Sequence, residues 1–70
     1  MSDKRAKLLK AMAAIFEVPS VDEAFVLEPW DSLNVLQAVV AIDDAYGKIV
    51  NGRDLVDAKT VADVLKVAEA

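Results

Sequence analysis

The sequence predicts an all-α fold: a small antiparallel bundle of three main helices plus one short helix. Apolar residues recur at helical spacing in three separate stretches. Capping and stop residues bracket those stretches. A length of 70 residues suits one small domain near the lower limit for a self-sufficient core, and an apolar content of 56% is rich enough to build one.

Each element has its own signal. Leu8, Leu9, Met12, Ile15 and Phe16 place a first helix from about Asp3 to Phe16, ended by Val18-Pro19-Ser20. Residues 19–30 form a long connection, with a short helical turn expected at Val21 to Ala24. Phe25, Val26 and Leu27 are expected to tuck against the core, because an exposed apolar triplet is costly. Asp31 reads as an N-cap, and Trp30 with Val35 as a hydrophobic staple around it. The second helix then runs from Ser32 to about Tyr46 and stops at Gly47. Leu33, Leu36, Val39, Val40 and Ile42 give it an apolar face broad enough for burial on more than one side. Asn51-Gly52 signals a turn, and Arg53 to Asp57 suits one short turn of helix. Thr60 and Asp63 form a capping box for a last helix whose face is Val61, Val64, Leu65 and Ala68.

Composition removes whole classes of function. With no cysteine there is no disulfide and no thiolate metal site, and with no histidine the commonest general base and metal ligand are gone. The apolar runs are too short to span a bilayer, and the amphipathic start carries no signal-peptide pattern, so a cytoplasmic protein is expected. The net charge of −4 is unevenly spread. Lys4, Arg5, Lys7 and Lys10 against Asp3 give the first ten residues +3, while four basic and eleven acidic residues give the other sixty −7. An acidic body argues against nucleic acid as a partner and suits docking onto basic protein surfaces.

Ser32 is the candidate functional residue. At the first turn of a helix it occupies the positive end of the dipole, where a phosphate on its oxygen is held well. A hydrolytic serine needs a base; neither a Ser-Lys dyad nor a Gly-x-Ser-x-Gly elbow is present. A calcium loop with Gly47 at its sixth position fails, because Ile42 and Arg53 stand where carboxylates are required. Asp43 and Asp44 are adjacent on a helix and do not share a face for a metal. Both an exposed helix end and a docking role remain open for them.

Asp31-Ser32-Leu33, followed by a helix ending in Asp43-Asp44-Ala45-Tyr46-Gly47, resembles the signature of acyl carrier proteins and the related peptidyl and aminoacyl carrier domains. Lys59-Thr60-Val61 starts the last helix at the spacing such carriers show, so the resemblance spans essentially the full chain as a single carrier domain, residues 1–70. The resemblance implies that Ser32 receives 4'-phosphopantetheine from coenzyme A through a phosphopantetheinyl transferase. The arm would supply the thiol that this chain lacks and hold an acyl or aminoacyl group as a thioester. The resemblance further implies a non-catalytic monomer that docks loading and transferring enzymes through Asp31, Leu33, Val40, Asp43 and Asp44. Carriers of fatty acid synthesis tend to be acidic two and five positions after the serine, where this chain has Asn34 and Gln37. It also carries Lys48, Arg53 and Lys59 where that type is usually acidic, and Trp30 where a small residue is common. These departures point to a specialised biosynthetic pathway. The alternative from another class is a helical adaptor without a prosthetic group.

Overall fold

Helices form where apolar spacing and caps coincide. In the computed structural model, which describes residues 3–70, α1 spans Asp3–Ile15, α2 Ser32–Tyr46 and α3 Val61–Glu69, with a single 3-10 turn at Gly52–Asp54 between α2 and α3. Among the described residues there is no strand, and no helix is long and apolar enough to cross a membrane.

Helix α1 ends one residue earlier than the spacing predicts, and for a local reason. Glu17 adopts a left-handed conformation (φ 56°), and the Val18 amide reaches back to the Ala13 carbonyl at 3.0 Å. This closure satisfies an end carbonyl before Pro19 is reached. Gly47 closes α2 with a left-handed residue too, at φ 65°, but donates its own amide to the Asp43 carbonyl at 2.8 Å. At α3 the Asp63 carboxylate accepts the amides of Lys59 and Thr60, which hold it below the usual carboxylate range. The far end of α3 is covered by Lys48, whose Nζ donates to the carbonyls of Val67 and Ala70.

The 19–30 connection makes a hydrogen-bonded turn from Asp22 to Phe25 and then runs extended along the start of α3. Val26 pairs in an antiparallel bridge with Thr60, flanked by Leu27 N–H to Lys59 O and Val61 N–H to Phe25 O. Extended backbone sends alternate side chains to opposite sides. Leu27 is therefore buried and Phe25 packs on Phe16, while Val26 is 58% exposed. The expectation that all three tuck inward holds for two of them.

Leu8 and Met12 of α1, Val35, Ala38 and Ile42 of α2, and Val61, Val64 and Leu65 of α3 form one core, closed by Leu55 beneath the 3-10 turn. The face of α2 that meets this core is only in part the expected one: Ile42 is buried and Val39 packs against it. Leu33, Leu36 and Val40 are 62%, 59% and 61% exposed. Residues 35, 38 and 42 repeat the spacing of 33, 36 and 40, offset by two positions or about 200° around the axis. Helix α2 thus carries two apolar stripes. The one containing Ala38 is inward, and alanine lets neighbouring backbone approach closely.

At the end of the bundle away from Ser32, Arg5 grips Glu69 through Nε and Nη2, at 3.0 and 2.7 Å. The Tyr46 hydroxyl donates to the same carboxylate at 2.8 Å, so α1, α2 and α3 meet there. Donation by Arg5, then by Tyr46, holds the Glu69 carboxyl down at about 2, against an ordinary value of 4.5. A depressed carboxylate contributes stability above its ordinary value and loses it as the pH falls toward the depressed one. Glu69→Gln is therefore expected to flatten the fall in stability between about pH 4.5 and pH 2. Denaturant melts across that range check this; superimposable acid limbs for the two proteins would show that the clasp contributes nothing. The expected effect is modest because the groups are partly solvated.

Candidate functional site

Ser32 is the first residue of α2, and the residues on either side of it are tied down by hydrogen bonds and a ring contact. Asp31 takes extended backbone (φ −96°, ψ 178°), and its Oδ1 accepts the Asn34 amide at 2.8 Å. Asn34 in turn donates through Nδ2 to the Pro29 carbonyl at 2.8 Å, tying the incoming chain to the first turn. Trp30 is stacked on Phe16, with ring centroids 6.2 Å apart, and its Nε1 donates to the Leu55 carbonyl at 2.8 Å. The tryptophan expected as a staple therefore ties the end of α1, the start of α2 and the 3-10 segment together. Ser32 itself is exposed.

Beside Ser32 lies a groove of about 650 Å³ between α2 and the 50–56 segment. Val35, Leu36 and Val39 form one wall, Val50 and Val56 the other, and Trp30 one end. The charged side chains lining it are Asp31 and Arg53. Sequence reasoning found Asn51-Gly52 as a turn but not as a wall of this groove. The signal was Gly52: a Cβ there would stand 3.5 Å from Val35 Cγ1, so the turn lies directly against α2.

The predicted docking residues fall into two groups. Asp31 and Leu33 flank Ser32. Asp43 and Asp44 are exposed at the other end of α2, about 16 Å away at 1.5 Å per residue, with Val40 one turn before them. A second groove of about 660 Å³, between α1 and α2, runs from Ala11 and Ile15 to Val40, Asp43 and Asp44. Leu36 lines both grooves and forms the ridge between them. Asp44 is not simply solvated: Lys7 of α1 approaches its carboxylate at 3.6 Å and its carbonyl at 3.4 Å. One of the N-terminal lysines thus bridges to α2.

The three helices and the 3-10 turn have the arrangement of the acyl-carrier-like bundles. The family described as the phosphopantetheine attachment site matches residues 6–68, which takes in α2, the groove and most of α1 and α3. The chain belongs to this family of carrier proteins, whose members carry a covalently attached 4'-phosphopantetheine. Such carriers work with transferases and acyl-handling enzymes and are generally not catalysts themselves. Neither the curated proteins nor the solved structures give a match to the chain.

Proposed function

We propose that Ser32 is the attachment point of the arm, and that the chain presents an acyl or aminoacyl group to partner enzymes in a specialised biosynthetic pathway without catalysing a step itself. The observation that carries this reading is the exposure of Ser32 at the first position of α2, on the lip of an apolar groove. The residues present fit such a group. The hydroxyl is open to a transferase, the helix start favours a phosphodiester on its oxygen, and Val35, Val39, Val50 and Val56 offer apolar surface to whatever lies beside it. When bound, the arm supplies a thiol for thioester chemistry, which this cysteine-free chain cannot supply itself. The chain's own part is to fix Ser32 through Asp31 and Trp30 and to be read by enzymes along α2.

Incubation with coenzyme A and a broad-specificity phosphopantetheinyl transferase tests the reading by intact mass. A gain of one phosphopantetheine is expected. An unchanged mass would overturn it and favour an adaptor that uses the exposed Leu33, Leu36 and Val40 stripe.

Recognition is proposed to run from Asp31 and Leu33 through Val40 to Asp43 and Asp44. Asn34 and Gln37 are neutral, so the docking charge rests on few groups. Replacing Asp43 and Asp44 together with lysine is expected to leave the helical circular dichroism intact, since both are exposed and the Lys7–Asp44 pair that is lost lies at the surface. The same change slows transfer of the arm, because like charges then meet on the enzyme. The effect shrinks as salt is added, exposed charges being screened beyond about 8 Å at physiological ionic strength. An unchanged rate at low salt would move recognition to the apolar stripe.

A further inference from the structure

We propose that Arg53 is an arm-binding residue: it pairs with the phosphodiester carried on Ser32 and lays the arm along the groove between α2 and the 50–56 segment. The proposal rests on Ser32 being the attachment point.

A phosphodiester on Ser32 brings a negative charge beside the Asp31 carboxylate, which is committed to the Asn34 amide and faces the same groove. The helix start offsets part of that repulsion. Across the groove stands Arg53, the one cation among its lining residues. Of the other basic side chains, Arg5 is engaged with Glu69, Lys7 with Asp44 and Lys48 with the end of α3, while Lys4, Lys10, Lys59 and Lys66 do not line the groove. Arg53 makes no ion pair or side-chain hydrogen bond among the described residues, and its neighbour Asp54 is turned to the Asn51 amide. A guanidinium is suited to phosphate because its planar fork offers parallel N–H donors.

The position of Arg53 is fixed by the fold. Gly52 lies against Val35 of α2, and Leu55 is buried and accepts the Trp30 indole, so Arg53 projects from a backbone held at both sides. With its base fixed, only the rotamers of the Arg53 side chain remain to be ordered when it spans the groove. The cation is thus matched to an anion whose place is set by its covalent bond, whatever cargo the thiol holds.

The test compares apo and arm-bearing protein, wild type and Arg53→Gln, by amide and phosphorus-31 NMR. Loading of the wild type is confirmed first by mass. Loading is expected in both proteins. In the wild type, addition of the arm shifts the amide signals of residues 50–56 as well as those of the first turn of α2. In Arg53→Gln the 50–56 shifts are lost and the phosphorus line moves toward that of free phosphopantetheine. Arg53→Lys restores part of the response, and added salt weakens it. Failure of the wild type to load overturns the carrier reading together with this one. Loading with shifts confined to the first turn of α2, or with identical phosphorus lines in the wild type and Arg53→Gln, overturns the role of Arg53 and leaves the carrier reading standing. So does a variant that loads slowly but, once loaded, matches the wild-type spectra, which would make Arg53 a contact for the transferase.

Discussion

Ser32→Ala is expected to take up no phosphopantetheine while keeping the wild-type helical circular dichroism. The loss is complete because it removes the oxygen that forms the phosphodiester. The fold survives because the Ser32 side chain is exposed and the cap is made by Asp31, one residue earlier. Alanine is a good helix former, so the stability change should stay within about 0.5 kcal/mol. Ser20 is exposed in the irregular connection after α1 rather than at a helix start, so it offers no comparable site. Labelling of the Ser32→Ala protein would show that the arm is carried elsewhere.

The second large effect is on stability, and it separates two leucines that look equivalent in the sequence. Leu65 is 2% exposed in the core, and Leu65→Ala should cost roughly 2–5 kcal/mol. For a domain of this size that is a large share of a total near the low end of about 5–15 kcal/mol. Leu36 lies on the ridge between the two grooves, and Leu36→Ala should fall within about 0.5 kcal/mol. Urea melts of the two variants check the contrast. Equal losses would mean that the outward stripe of α2 is packed in solution, against the fold described above.

Helix α2 also shows where sequence reasoning reaches its limit. Its extent was legible because Asp31 and Gly47 act through local backbone geometry, which a few neighbouring residues decide. Its inward face was legible only in part: Ile42 is buried and Val39 packs against the core, while Leu33, Leu36 and Val40 are exposed. Two stripes share one spacing, and the larger side chains of Leu33, Leu36 and Val40 suggest the wrong one. What decides between them is which stripe packs into the shared core with α1 and α3, a non-local fact. The same holds for Val26, whose bridge to Thr60 depends on a residue far along the chain. Of the site, Ser32 and its cap could be read from adjacent residues. The groove could not, because Arg53 and Val56 come to line it with Ser32 only once the 3-10 turn has folded against α2.

Trp30 has a practical consequence. It is the single tryptophan of the chain, half-buried, hydrogen-bonded through its indole nitrogen and lining the groove beside Ser32. Indole emission responds to polarity and hydrogen bonding at that nitrogen. The wild-type chain therefore carries its own optical probe at the place where an arm would rest and an enzyme would dock. Rates of loading, unloading and docking become accessible by stopped-flow on unlabelled protein, with no dye added to the surface that partners have to recognise.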